Sequence, residues 1–162
     1  MKKRYLIFTF IFIVICLLNF STKVKAADLD QILDYVVIVD PRMNDGSLDI
    51  TYEFTWQVLD STSEGPLTWV QIGTANEYYD TLEAKSDTIK AISASGSYVK
   101  IIFDRAYNAG EVIKFKYSLH QKYMHKISFG KCVYEFTPAW FNETRINNIT
   151  VKWNRDSVKS SN

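Results

Sequence analysis

The chain has 162 residues, of which 47% are hydrophobic, 15% aromatic and 23% charged, and its formal net charge is +1. These values fit one folded domain of ordinary size and exclude a disordered, a collagen-like or a multi-span membrane chain. Two cysteines and two histidines also exclude a disulfide scaffold and a zinc site built from several such ligands.

The N-terminus has the order of features that marks a secretory signal peptide. Lys2, Lys3 and Arg4 precede an apolar run over residues 5–20, and Val24 and Ala26 then place small side chains at the two positions that a signal peptidase reads. This order predicts a signal peptide at 1–26, cleaved after Ala26, and therefore a secreted, extracellular protein. The alternative is a membrane anchor formed by uncleaved residues 5–20, although sixteen residues is short for a bilayer that needs about 20.

Removal of residues 1–26 changes the charge balance, because that segment holds five basic side chains and no acidic one. The remaining chain has 14 basic and 18 acidic side chains, a net charge of −4. An acidic chain without a basic run is not typical of nucleic-acid binding, and a membrane is expected as a partner only if the signal segment stays uncleaved. Only Cys132 remains, so no intrachain disulfide can form.

Alternation of apolar and polar residues predicts strands along most of the remaining chain. The clearest alternation runs through residues 48–58. An Asn-Asp-Gly turn at 44–46 connects it to an apolar run at 35–40, and a second hairpin turns at 95–97. Residues 29–33 suggest one helical turn. Further strands are predicted at 67–72, 78–84, 88–94, 98–103, 111–121, 132–136 and 149–153.

About eight strands, each with one apolar face, must bury those faces against one another. We therefore predict an all-β, antiparallel two-sheet β-sandwich of the immunoglobulin-like kind at 27–154, followed by a polar tail at 155–162. An up-and-down barrel is the alternative. Strands do not alternate with helices in this sequence, which argues against a parallel α/β sheet.

Four short runs are similar to one family of bacterial proteins. They are GSLDITY at 46–52, SEGPLTWV at 63–70, FTPAWF at 136–141 and VKWN at 151–154. The family consists of uncharacterised secreted or membrane-attached proteins of Gram-positive bacteria, some of which carry an automatic label as chorion-class high-cysteine proteins. Its members often continue into a cysteine- and glycine-rich tail or an anchoring segment, so the resemblance implies a short member or a truncated form of a longer anchored protein. The family has no established activity, and the resemblance therefore implies no catalytic residue.

The histidines and the cysteine do not form a pattern that predicts a metal site or a nucleophile. His120 and His125 are five residues apart, which places them on opposite faces of a strand. Cys132 alternates with Tyr134 and Phe136, so we expect a buried and inert thiol. We therefore expect the protein to bind neither a metal ion nor a cofactor.

The carboxylates do not form a recognisable site either. Counted from Asp40, the third position is Arg42 and the sixth is Asp45, which breaks the calcium-loop pattern of acidic residues followed by glycine. Pairs such as Asp104 with Glu111 are expected by chance among 18 acidic residues. We therefore expect no enzyme activity.

The aromatic residues are the strongest functional signal. Trp69 and Trp140 lie at strand ends beside proline residues, whereas Trp56 and Trp153 are in phase with core residues. Exposed tryptophan and tyrosine anchor protein interfaces and stack on sugar rings. The expected function is a non-catalytic binding module at the cell surface, with a protein partner or surface assembly favoured and a glycan or cell-wall ligand as the alternative. The predicted binding residues are Trp69, Trp140, Tyr78 and Tyr123.

Overall fold

The alternating run at 48–58 forms the central strand of a five-stranded sheet. In the computed structural model, which describes residues 28–42, 44–141 and 144–154, every regular element is a strand. Within those ranges no helix has the length and apolarity to cross a membrane. The predicted signal peptide (1–26) and polar tail (155–162) lie outside the described residues. In chain order the strands are β1 (Asp30–Pro41), β2 (Leu48–Val58), β3 (Leu67–Gly73), β4 (Tyr79–Ala84), β5 (Ile89–Ser95), β6 (Tyr98–Tyr107), β7 (Val112–Gln121), β8 (His125–Ser128), β9 (Lys131–Tyr134) and β10 (Arg145–Trp153).

Two sheets face each other, and a short hairpin flanks them. The large sheet has the order β10-β1-β2-β7-β4, the small sheet has the order β3-β6-β5, and β8 and β9 form a separate two-stranded sheet. Phe103 of the small sheet meets Phe115 of the large one with ring centroids 5.2 Å apart. The fold is therefore an all-β sandwich, which confirms the predicted fold class; β8 is the strand that the sequence did not predict.

The core lies between the two inner faces, where alternation predicted it. On β2 all six apolar positions are buried, and the five polar positions between them are half-exposed. The small sheet covers one part of this face. Phe141 covers another part, with its ring edge-on to Tyr35, Phe54 and Trp56 at 5.8, 5.8 and 5.6 Å. Aromatic rings thus form a packed cluster within a core that also holds many aliphatic side chains.

The helical turn predicted at 29–33 is wrong, because this segment begins β1. Ile32 pairs with Trp56 in the β1–β2 ladder. The carbonyl of Leu29 accepts hydrogen bonds from the N–H groups of Leu59 and Asp60 at 2.9 and 3.1 Å. Pairing with a long neighbouring strand overrides the weak local preference of five residues.

One strand pair departs from the predicted antiparallel order. β10 lies parallel to β1, with pairs that run from Gln31–Arg145 to Val39–Trp153. A side-chain hydrogen bond connects one of these pairs: Asn148 Nδ2 donates to Asp34 Oδ1 at 3.2 Å. Alternation of side chains has the same period in parallel and antiparallel strands, so it cannot reveal the direction of pairing.

The predicted turn at 44–46 is present and is closed by a histidine. Gly46 has a φ of +71° and its N–H donates to the Arg42 carbonyl at 3.0 Å. The Ser47 N–H donates to Asp45 Oδ1 at 3.0 Å. His125 Nδ1 lies 3.1 Å from the Gly46 carbonyl oxygen, and a Cβ at Gly46 would lie 2.0 Å from that nitrogen. Only glycine fits under the imidazole ring with this backbone conformation.

Candidate functional site

The outer surface of the small sheet brings two of the predicted binding residues onto one face. Trp69 and Gly73 are in phase on β3, and their partners on β6 are Ile102 and Tyr98. Trp140 is bridged to Gly73 and lies above it. Trp69 is 49% exposed and Trp140 is 38% exposed. We call the surface formed by Trp69, Tyr98, Lys100 and Trp140 the aromatic face.

Backbone pairing fixes Trp140 on the aromatic face. The Gly73 N–H donates to the Trp140 carbonyl at 3.0 Å, and Trp140 Nε1 donates to the Thr74 carbonyl at 3.3 Å. A Cβ at Gly73 would lie 2.3 Å from the Trp140 ring, so the indole lies against the bare backbone of this glycine. The Tyr98 ring meets it edge-on at 4.9 Å. Trp140 is thus held in a fixed orientation while more than a third of its surface faces solvent.

Trp69 occupies the other end of the aromatic face. Lys100 Nζ lies 4.7 Å from the centroid of its ring, a cation–π contact. Trp69 and Gly73 are four residues apart on β3, so the two tryptophans are separated by about 13 Å along the strand. Two fixed indoles at that spacing can contact two parts of one extended ligand.

Tyr78 and Tyr123 form a second aromatic pair, at the edge of the large sheet. Their rings meet edge-on with centroids 5.1 Å apart. Asn76 links their two loops, since its Oδ1 accepts from the Tyr78 N–H at 2.8 Å and its Nδ2 donates to the Lys122 carbonyl at 3.0 Å. Among the ring contacts of the described residues, none joins this pair to the aromatic face. The four predicted residues therefore fall into two groups.

The edge strand β10 leaves apolar side chains uncovered, which the sequence did not reveal. Ile149 pairs with Tyr35 and Val151 pairs with Val37, so all four side chains lie on the core side of the large sheet. Tyr35 and Val37 are buried, whereas Ile149 is 52% and Val151 is 39% exposed. Trp153, predicted as a core residue, is half-buried. We call Ile149 and Val151 the β10 strip.

The prediction that Cys132 is buried is wrong, because its thiol is exposed. Cys132 lies on the β8–β9 hairpin, a two-stranded ribbon that pairs with neither sheet within the part of the chain that the structure describes. At the tip of this hairpin Phe129 is fully exposed, and Ile127 is also exposed. Alternation identifies which side chains share a face, but it does not show whether a second layer covers that face.

A cleft with a volume of about 310 Å³ opens between the edge of β3 and the ends of β1 and β2. Its described lining includes the carboxylates of Asp30, Asp60 and Glu64 and the rings of Trp56 and Trp69. Burial raises the pKa of Asp30, and interactions with Thr144 and Trp56 partly offset this effect. The cleft could not be predicted from the sequence, since its residues come from segments that are far apart in the chain.

The candidate acid–base groups are engaged in structural contacts. Asp104 Oδ1 accepts a hydrogen bond from the Tyr107 hydroxyl at 2.8 Å. Glu111 forms an ion pair with Arg105 at 2.8 Å, which lowers the pKa of the Glu111 carboxyl. In the part of the chain that the structure describes, no three His, Cys, Asp or Glu side chains are grouped so that they could hold a metal ion.

Comparison with known proteins gives little further information. No protein-family model and no curated protein matches the chain. Two structures of an M1 zinc metallopeptidase from Deinococcus radiodurans are similar to it at a TM-score of 0.45 and 12% identity: an E323A mutant with a bound Tyr-ser-ala substrate, over 61% of this chain and 21% of that chain, and the peptidase without a stated ligand, over 57% and 20%. The chain thus spans about a fifth of the length of these peptidases. At this TM-score the likeness carries no argument about activity.

The described surface therefore offers three features for binding, of which the first and the third share Trp69. They are the aromatic face on the small sheet, the β10 strip on the edge of the large sheet, and the acidic cleft between the two sheets. Each combines apolar groups with exposed polar or backbone groups, which is typical of binding surfaces.

Proposed function

We propose that the chain is a non-catalytic binding module at the exterior of a Gram-positive cell and that it binds a protein partner through β10. The predicted signal peptide and the family resemblance support the location, with anchorage by residues 5–20 as the alternative. The β10 strip is the observation that supports the mode of binding.

The β10 strip continues the core face of the sheet beyond the layer that covers it. Tyr35 and Val37 are shielded, whereas Ile149 and Val151 in the next strand are not. Full burial of such a side chain contributes about 1.5–3 kcal/mol of free energy. Because Ile149 and Val151 are already partly buried, covering their exposed part contributes about 1 kcal/mol per residue. A partner that covers the strip gains this free energy.

The backbone of β10 offers a second means of binding. Among the described strands, β10 is the terminal strand of the large sheet, and β1 is its only neighbour in the ladder. Its outer edge therefore presents N–H and C=O groups to an incoming strand, as in complexes formed by strand addition. Backbone pairing combined with coverage of Ile149 and Val151 favours a protein ligand over a sugar.

The test is site-specific cross-linking followed by binding measurements. A photo-reactive residue at Val151 of the full-length protein on cells should cross-link one partner, which is then purified. Ile149→Lys should weaken binding of that partner by about tenfold, because it places a charge in the covered strip. Thr150→Lys, on the opposite face of the same strand, is the matched control and should change the affinity little. Equal effects of the two substitutions would exclude the strip as the interface.

A glycan ligand is the second candidate function, and the aromatic face favours it. Trp69 and Trp140 are fixed on one surface about 13 Å apart, and tryptophan rings stack on sugar faces. Full-length protein should then be retained on Gram-positive cell walls stripped of protein.

Retention should be lost in a Trp69→Ala/Trp140→Ala variant. Gly73→Ala should also reduce it, because the added methyl group displaces the Trp140 ring without removing it. Tyr123→Ala removes an exposed ring outside the aromatic face and is the control. Retention that survives the double substitution would contradict the glycan proposal.

A further inference from the structure

The β8–β9 hairpin is held to the sandwich at its base and projects from it. At the base, the Tyr134 hydroxyl donates to the Arg42 carbonyl at 2.9 Å, and His125 Nδ1 lies 3.1 Å from the Gly46 carbonyl oxygen. At the turn, a Cβ on Gly130 would meet no atom of the described chain within 4 Å, apart from its chain neighbours. β8 has four residues, and a strand rises about 3.3 Å per residue, so the turn lies about 13 Å beyond the base.

The turn carries a phenylalanine that neither packing nor backbone conformation explains. Phe129 is fully exposed and has a φ of +49°. The β5–β6 hairpin also has a two-residue turn, and there the corresponding residue is Gly96, with a φ of +58°. Glycine, asparagine and aspartate favour this backbone region, whereas a bulky side chain is disfavoured in it. Phe129 thus lowers the stability of its own turn and packs on nothing in the described chain, which points to a contact outside the chain.

The apolar surface at the turn continues along one face of the hairpin. Ile127 is 77% exposed, and its ladder partner Cys132 is exposed as well. Phe129 and Ile127 are two residues apart, so the exposed apolar tip is about 7 Å deep. Apolar side chains of segments that bind a membrane surface enter the boundary between lipid headgroups and acyl chains by about 5–10 Å. The depth of the tip matches that boundary.

The hairpin is basic, although the chain after residue 26 has 14 basic and 18 acidic side chains. Residues 125–134 include Lys126 and Lys131 and no acidic side chain. Lys126 forms an ion pair with Glu135, whereas Lys131 takes part in none of the ion pairs of the described residues. Lys131 lies next to the turn, so its ammonium group can reach back to lipid phosphates while its alkyl stem stays beside the apolar side chains. The charge of the hairpin is therefore complementary to an anionic surface.

We propose that the β8–β9 hairpin inserts its turn into the surface of an anionic lipid bilayer, with Phe129 and Ile127 in the apolar boundary and Lys131 at the lipid phosphates. A bilayer accepts a projecting side chain without a pocket shaped to fit it. Two side chains expose far less than the about 800 Å² that each partner of a stable protein interface buries. This contact does not require residues 5–20, so it is a second route to a membrane.

The test uses an environment-sensitive fluorophore on the Cys132 thiol of the full-length protein, in which Cys16→Ser leaves one site for labelling. The protein is titrated with vesicles of equal parts phosphatidylglycerol and phosphatidylcholine that carry a quencher on the acyl chains. The emission of the label should shift to the blue and be quenched, and both effects should saturate with lipid. A label at Ser95→Cys, on the polar β5–β6 hairpin of a Cys132→Ser protein, is the control. Its emission should not change, even if residues 5–20 hold the chain on the vesicle.

Three substitutions test the roles of the side chains, with the equilibrium constant for insertion measured from the blue-shifted fraction of the Cys132 label. Phe129→Asn should lower this constant about tenfold, because a large apolar side chain leaves the lipid while asparagine keeps the turn. Lys131→Gln should lower it about fivefold with anionic vesicles and leave it unchanged with phosphatidylcholine alone. Tyr123→Asn is the matched control and should have no effect, since Tyr123 is an exposed aromatic residue with a φ of +57° outside the hairpin.

Any of three results with pure lipid would overturn the proposal. They are no change in the Cys132 label up to about 10 mM lipid, where binding with a Kd of about 1 mM is nearly saturated, a constant unchanged by Phe129→Asn, or an equal response of the label at residue 95. A label that responds to membranes containing protein but not to lipid vesicles would also overturn it, and would assign the turn to a protein partner. None of the variants alters the β10 strip or the aromatic face, so the outcome is independent of the proposed function.

Discussion

Removal of one buried hydroxyl group should stabilise this protein. Tyr117 is fully buried, and its hydroxyl oxygen has no hydrogen-bond partner among the described residues. Burial raises its pKa well above the ordinary value for tyrosine, as expected for a phenol shielded from water. An unpartnered buried polar group costs about 1–3 kcal/mol, whereas the void left by one oxygen costs at most about 1 kcal/mol. Tyr117→Phe should therefore raise the free energy of unfolding by about 1 kcal/mol.

Tyr79→Phe is the matched control, because its hydroxyl does have a partner. The Tyr79 hydroxyl donates to the Tyr98 carbonyl at 2.5 Å. The same substitution here removes a hydrogen bond and should lower the free energy of unfolding by about 0.5–1.5 kcal/mol. The two variants lose the same atom, so the opposite signs isolate the effect of hydrogen bonding.

Urea denaturation of the full-length protein, followed by tryptophan fluorescence and circular dichroism, measures both variants. Unchanged slopes of the transitions would show that the two substitutions alter stability and not the extent of unfolding. If Tyr117→Phe lost as much stability as Tyr79→Phe, the hydroxyl of Tyr117 would have a partner in solution and the reasoning would be refuted.

Three further predictions concern pH, backbone conformation and the thiol. Burial raises the pKa of three core tyrosines, so near and above pH 10 only the unfolded state loses these protons, and the free energy of unfolding should fall by about 4 kcal/mol in total between about pH 9 and about pH 11, measured by urea denaturation. Gly46→Ala should lower the melting temperature by several degrees in a thermal scan, because a methyl group collides with His125 and the φ of +71° disfavours alanine. Cys132 should react with a thiol reagent in the native protein as fast as in urea; slow native labelling would show that it is shielded.

The fold was predictable because side chains alternate between the two faces of a strand with a period of two residues, and this same period decides which side chains are buried. Eleven alternating residues at 48–58 can bury their apolar set in only one way, and all six apolar positions of β2 are indeed buried. The turn at Gly46 was predictable for a related reason, since its positive φ restricts the residue type.

Features that depend on which layer covers a face were not predictable. Cys132 and Val151 both alternate as core residues do, yet they lie on a ribbon and an edge strand that the second layer does not reach. The candidate site depends on long-range placement in the same way. Trp69 and Trp140 could be selected as strand-end aromatics, but their common face results from the bridge at Gly73, and the acidic cleft combines residues from three segments of the chain.

The parallel pairing of the first and last strands has a kinetic consequence. Asn148 bonds to Asp34 across 114 residues, so β1 gains its second neighbour only after the chain has been made as far as β10. When such distant segments come together, the chain between them loses entropy before the contacts stabilise the fold. This loss slows folding. The arrival of the C-terminal strand therefore limits the closure of the large sheet. A ribosome that pauses before residue 145 would leave β1 with one bare edge, open to pairing with another nascent chain.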